Sequence, residues 1–486
     1  MTLPQRQSAQ GIGGDISTHR RPRLLEDPTA RNDERLVAKV LRLLSSGGAR
    51  AGMLVLACSM VGHVGNYLFY VLAARALSPA QFADVSAMTA LATIAFMPAT
   101  GVQAATARDT ALLLASGRAA EAHGLVRWLA QRVVLFQACL AGVLVVGTPA
   151  AVVALGLSSP SVWLTGVVWL VLGIGLQMSL GPLQGRELFG TVGAVLAGPM
   201  GALRPLLLVP GVALGGVAGA LGALVVATLV GLTGVVAVLR RALRGRPTKR
   251  AALSGVWPAV LALTAFASLT NADVIAAKMV LSPTDAGLYS SAALLGKIAL
   301  YAPSALALVL LPKVTSRLQA GLDVRGPALL TLAATLGTGL LVTATILAAP
   351  SSLVSLVFGA DYRAAYVLAA PIAAVMTLAS LLQVHLMVTL ASGERAAIGI
   401  VAGAALLQVT GLALLAHTAL QVVLVTGVAT AMAMIVYEVV SPFSTRRLLR
   451  RTGSRVIVGS PLGSPGTAAT PRPEPPTARS GESNES

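Results

Sequence analysis

The 486-residue chain is 55% hydrophobic and 11% charged, with a mean hydropathy of +0.79 and a formal charge of +18. So little charge cannot cover the surface of a water-soluble protein of this length, which argues against an ordinary soluble enzyme. The Lys and Arg excess sits in tails and short connections between apolar runs. With aromatics at 4%, the basic stripes and exposed rings of a nucleic-acid binder are missing too.

Residues 1–32 are polar, contain Gly and Pro, and are expected to be disordered. The pair Arg20-Arg21 is followed by no short apolar segment, so no cleaved leader is expected and the first apolar run reads as a signal anchor. In 33–44, Leu36, Val37, Val40, Leu41 and Leu44 share one helical face, with Arg35, Lys39 and Arg42 alongside. That pattern fits an interfacial helix on an anionic leaflet, or equally a solvated lead-in to the first span.

Twelve runs then follow, each long enough for the ~20 residues of a spanning helix. They lie near 51–76, 81–104, 131–155, 161–183, 188–212, 216–239, 254–280, 285–312, 327–349, 365–391, 396–416 and 420–441. Cys58 and Cys139 fall inside these runs as small packing residues, without the spacing of a disulfide framework or a zinc site. After Arg446-Arg447-Leu448-Leu449-Arg450-Arg451 the chain is rich in Pro, Ser, Thr and Gly, which reads as disorder. The expected organisation is a basic tail (1–50), a six-helix half (51–240), a basic linker (241–253), a second half (254–441) and a second tail (442–486).

Connections after even-numbered runs hold fifteen Lys and Arg, those after odd-numbered runs three (Arg75, Lys278 and Arg363), and both tails are basic. Positive residues stay inside, so both termini are expected in the cytoplasm of a multi-pass inner-membrane protein. A thiol introduced at Ser159 or Ser352 should therefore react with an impermeant reagent added from outside. One at Gly245 or Ala478 should not, and labelling at either would overturn the orientation.

A shift of 204 residues lays AARALSPAQFADVSAMTALATIAFMPA (73–99) over AKMVLSPTDAGLYSSAALLGKIALYAP (277–303), with eight of 27 positions identical. Both copies carry Leu-Ser-Pro at the turn after an odd-numbered run. Six runs per repeat is an even number, so the halves face the same way. The fold class is thus an all-α polytopic membrane protein, with about twelve helices in two parallel pseudo-symmetric halves around a central cavity.

The segment ARALSPAQFADVSAM resembles the first external turn of Wzx-type polysaccharide flippases, in the multidrug/oligosaccharidyl-lipid/polysaccharide exporter superfamily. NADVIAAKMVLSPTDAGLYSSAALLGKIALYAPSALALVLLPKV resembles the start of their second half. GPLQGRELFGTVGAVLAGPMGALRPLLLVPGVALGGVAGALGAL is similar to their fourth to sixth spans, and LVSLVFGADYRAAYVLAAPI to their ninth-to-tenth connection. Ala83 departs from the pattern, which usually has Gly in the first-half turn, and so do the long tails. The resemblance implies a flippase for an oligosaccharide on a polyprenyl pyrophosphate, with membrane lipids and other polysaccharide-assembly proteins as partners. It implies neither cofactor nor metal, and no enzymatic activity.

Charges inside spans are costly and mark functional candidates. Arg204 (fifth run) and Lys297 (eighth) are candidate ligands for an anionic pyrophosphate, and Arg108, at a cytoplasmic end, could meet the incoming head group. Asp273 (seventh run) is a candidate for taking a proton or sodium ion, or for balancing cavity charge. The structural alternative stays open: an Asp273–Lys297 pair that ties two neighbouring helices together. Arg186 at a span end, and His63 and His385 within spans, read as snorkelling or packing residues. Pro199, Pro205 and Pro210 mark possible kinks, and Gly211, Gly215, Gly216, Gly219 and Gly222 allow close approach of spans five and six.

A multidrug or cation antiporter of the same superfamily is the competing transport reading. It calls for cavity carboxylates, and Asp84 is placed near a span end rather than within one. A polysaccharide polymerase or ligase would need a larger external domain than 350–364 provides. The sequence has no G-x-x-x-x-G-K-[ST] phosphate loop.

Overall fold

A computed structural model describes residues 47–244, 256–303, 325–392, 396–441 and 444–450. By its contacts the chain divides after Leu54. The first unit contributes only residues 47–54 to the described structure, and the second holds everything else. The expected helix at 33–44 and most of the linker and C-terminal tail lie outside the described residues.

Among the described residues there is no β-strand. With no water in the hydrocarbon to satisfy peptide groups, apolar runs of this length close their hydrogen bonds within helices. The first half contains α1 (Gly47–Ala76), α2 (Pro79–Ala115), α3 (Ala119–Val146), the short α4 (Thr148–Ala154), α5 (Pro160–Gly185) and α6 (Phe189–Ala197). A π-helical turn (Gly198–Ala202) then leads into α7 (Leu203–Leu243). The second half contains α8 (Trp257–Val280), α9 (Pro283–Gly296), α10 (Arg325–Ala348), α11 (Ser351–Phe358), a 3-10 segment (Ala360–Ala365), α12 (Tyr366–Ser392), α13 (Ala396–Leu415) and α14 (Ala419–Val440). The final helix is the short α15 (Thr445–Arg450).

Among the described residues, ten helical stretches are long and apolar enough to cross a membrane. One of them, Phe189–Leu243, is 55 residues long and holds two crossings. It doubles back at Gly215 and Gly216, whose backbones leave the helical region (Gly216 has φ +54°). Only glycine reaches that conformation without strain. Of the expected run 285–312 only the part up to residue 303 is described, as helix from Pro283 interrupted at Lys297.

Of the five glycines expected to bring spans five and six together, only Gly211 and Gly219 do so. A Cβ on either would meet the other's carbonyl, whereas Gly222 faces open space. α1 makes a similar approach to the π-turn: Gly62 and Gly65 lie directly on the backbone of residues 196–201. Gly65→Leu is therefore expected to cost about 1–3 kcal/mol through overpacking, read as a lower unfolding temperature in detergent. Gly142, with nothing near its Cβ position, should accept the same change without loss.

The repeated Leu-Ser-Pro turns fold alike. Ser78 Oγ accepts from the Gln81 amide (3.4 Å) with Pro79 opening α2, and Ser282 Oγ accepts from the Asp285 amide (3.2 Å) with Pro283 opening α9. Serine supplies the missing acceptor and proline gives up no needed N–H at the first turn. The turns also touch, because the Cα of Gly287 lies against the Pro79 backbone. Two touching turns open on the same face, which requires parallel rather than inverted repeats. Gly287 is the repeat equivalent of Ala83, so only the second half needs glycine here. Between the halves, α2 packs along α8 and α9, and within the first half it packs along α5.

Candidate functional site

Arg204 stands at the start of α7, immediately after the π-turn. Such turns often mark functional positions, because they rotate one side chain out of helical register. The glycine contact between α1 and the π-turn brings Asn66 beside it: Arg204 Nη1 donates to Asn66 Oδ1 at 2.7 Å. Its buried Nε–H has no acceptor. The Tyr70 hydroxyl lies beside Asn66 and Thr89, within electrostatic reach of the guanidinium.

Lys297 stands at a second irregularity, the residue at which α9 ends before helix resumes at 298. Lys297 is 8% exposed, and its ammonium donates to Asn271 Oδ1 on α8 at 3.0 Å. The Asn271 amide group is held in turn by the Ala267 carbonyl (2.9 Å) and Thr270. Asp273 is fully buried, and its Oδ2 accepts from Tyr289 Oη at 3.0 Å, while its Oδ1 has no hydrogen-bond partner. Asp273 is close enough for its charge to act on Lys297, but the direct pair allowed by the sequence does not form. Tyr301, one turn beyond Lys297 and half exposed, is within reach of both Asp273 and Tyr70.

Two cations, one from each half, therefore sit at breaks in their helices. Asparagines hold both of them, and neither forms an ion pair with a carboxylate among the described residues. Sequence reasoning named the charges but missed Asn66, Tyr70, Asn271, Tyr289 and Tyr301. The available signal was the rarity of amides and phenols in runs as apolar as these.

Arg108 does not join them. Its side chain is 62% exposed and pairs with the adjacent Asp109 at 3.3 Å. It lies nineteen residues along α2 from Thr89, about 28 Å at helical rise. His385 is buried against Glu438 (3.5 Å) and Thr445 (3.2 Å), and Glu438 accepts the Thr445 and Arg446 amides that open α15. This is a structural cap. His63, by contrast, is exposed on α1.

Asp84 and Lys278 require correction. Read from sequence as a residue near a span end and a loop cation, they form a buried ion pair between α2 and α8 at 2.7 Å, 1% and 4% exposed. Asp84 Oδ2 also accepts the Ser158 amide at 3.1 Å. Asp84 lies five residues into α2 and Lys278 two residues before the end of α8, so both stay near helix ends and are buried because the two helices pack against each other there.

No family model matches the sequence, and no curated protein resembles it. Solved structures do resemble the fold. The inward-facing form of a multidrug resistance MATE family transporter of the MOP superfamily superposes with TM-score 0.64 at 12% identity, over 79% of this chain and 96% of that one. The outward-facing form of such a transporter gives 0.57 at 14% identity, over 79% and 93%. A MOP superfamily transporter from Pyrococcus furiosus gives 0.56 at 14%, over 81% and 96%. The chain is an all-α, multi-pass membrane protein with the fold of the MATE transporters of the MOP superfamily.

Proposed function

We propose that this protein flips a polyprenyl-pyrophosphate-linked oligosaccharide across the cytoplasmic membrane by alternating access, for cell-surface polysaccharide assembly. The observation that carries the reading is the pair Arg204 and Lys297: two intramembrane cations from opposite halves, held by neutral asparagines. A buried positive charge without a carboxylate partner is stabilised by an anionic ligand, and a pyrophosphate supplies charge and acceptor oxygens together. The orphaned Nε–H of Arg204 is one donor such an oxygen would satisfy. In this reading the phosphates sit between the halves, the glycan passes through the cavity and the prenyl tail stays in lipid. Asp273, held by Tyr289, tempers the positive field and resets it once the anion leaves. For the Pyrococcus furiosus relative, a reverse polarity of the binding pocket has been taken to suggest a different function, so the fold tolerates pockets of altered charge.

The second reading, a multidrug antiporter, is favoured by Asp273 Oδ1, a buried carboxylate oxygen without a hydrogen-bond partner that could hold a cation. Deleting the gene separates the two. A flippase leaves lipid-linked oligosaccharide accumulated on the cytoplasmic leaflet, measured by mass spectrometry of each leaflet, with drug sensitivity unchanged. Unaltered lipid-linked glycans together with heightened sensitivity to cationic drugs would refute the flippase reading.

A further inference from the structure

On the face that carries the α1–α2 and α8–α9 turns, the two halves meet in a compact set of contacts centred on the Asp84–Lys278 ion pair. The Arg75 side chain donates to the carbonyls of Leu356 and Val357, at the end of α11. Tyr362 Oη donates to the Leu77 carbonyl at 3.3 Å, and its ring meets Phe82 edge-on with centroids 5.8 Å apart. Gly287 lies on Pro79 as described. Every one of these joins residues 75–84 of the first half to the second half.

The contacts that fix these residues within their own halves form a separate set. Asp84 is anchored to Ser158 by its other oxygen, and each Ser-Pro cap closes on its own helix. The halves can therefore part along one surface without breaking either turn. Apolar contacts alone would reseal at any register. A charge pair reseals only when two specific groups meet again, and both groups are readily hydrated if the surface opens onto water.

We propose that the Asp84–Lys278 pair is the lock of a gate between the halves on this face, closed here and broken in the opposite step of the cycle. The inference rests on the transporter reading but not on the identity of the cargo. In the orientation drawn from the basic residues, this is the exit side. Arg75, Tyr362 and Phe82 complete the seal around the lock. Helix α11 and the 3-10 segment, which looked from sequence like an external loop, are the part of the second half that closes on the first.

The test needs no substrate. With Cys58 and Cys139 replaced by serine, Tyr301→Cys becomes the single reporter, and an impermeant maleimide is added to right-side-out vesicles. The parent should label slowly. Asp84→Asn and Lys278→Met should each raise the labelling rate by about tenfold through a shift of population toward the open gate, and the exchange Asp84→Lys with Lys278→Asp should return it toward the parent. An unchanged rate in both single variants would overturn the proposal. Should any variant fail to insert, spin labels at Ala76→Cys and Thr284→Cys in the cysteine-free parent decide. Two distance populations support a gate, and one narrow population under all conditions refutes it. Neither measurement depends on the flippase assignment, so a wrong cargo and a wrong gate give different results.

Discussion

Under the proposed flippase function, Arg204→Ala and Lys297→Ala are each expected to abolish flipping of the lipid-linked substrate while leaving a folded, inserted protein. Removing one partner of a buried, hydrogen-bonded charge contact costs about 2–5 kcal/mol of binding, which is roughly thirty- to several-thousandfold in transport at limiting substrate. Neither change breaks a direct ion pair, because asparagines hold both cations, so the folded state should lose less than when a paired charge is removed. Lys297→Arg keeps the charge and should retain substantial transport. Arg108→Ala, at an exposed residue paired with its neighbour, should have a much smaller effect. The measurement is leaflet-resolved mass spectrometry of lipid-linked oligosaccharide in cells expressing each variant. One competing explanation is tested in the same series. If Lys297 served only to neutralise Asp273, replacing Asp273 by Asn and Lys297 by Met together would restore transport. Since Asp273 is held by Tyr289 and Lys297 by Asn271, no rescue is expected, and a full rescue would remove Lys297 from the site.

The largest effect on stability is expected at Asp84 and Lys278. Lys278→Ala leaves the Asp84 carboxylate buried with only the Ser158 amide, and Asp84→Ala leaves the ammonium without its carboxylate. Breaking a buried pair from one side costs about 3–5 kcal/mol. Thermal unfolding in detergent, followed by loss of the monodisperse peak, should show both single variants strongly destabilised. Asp84→Leu combined with Lys278→Met removes both charges and fills the space with apolar groups, so it should recover most of the loss. Such a double variant would be stable and yet lack the specific closure an ion pair provides, which separates its stability effect from its gating effect. Single variants as stable as the parent would show that water reaches the pair.

The amino-acid sequence by itself determined the spans, the kinship of the halves and their common orientation. These depend on local quantities: the length of an apolar run, the Ser-Pro start of a helix, the residues that end one. The turn at Gly215–Gly216, placed by sequence between two runs, and the matched caps at Ser78 and Ser282 are local in that sense. The sequence also singled out Arg204, Lys297 and Asp273, because an ionised group among apolar residues is conspicuous wherever it points. What each of them meets was decided only by tertiary structure. Asn66 reaches Arg204 because Gly62 and Gly65 let α1 settle on the π-turn, and Asp84 finds Lys278 across the boundary between the halves. Lipid-facing helices are apolar on every side, so the pattern that reveals the buried face of a soluble helix is erased. The rotation of each helix is then set by small-residue contacts and polar pairs between distant segments. Those same rotations settle which charges meet a carboxylate and which meet only neutral groups.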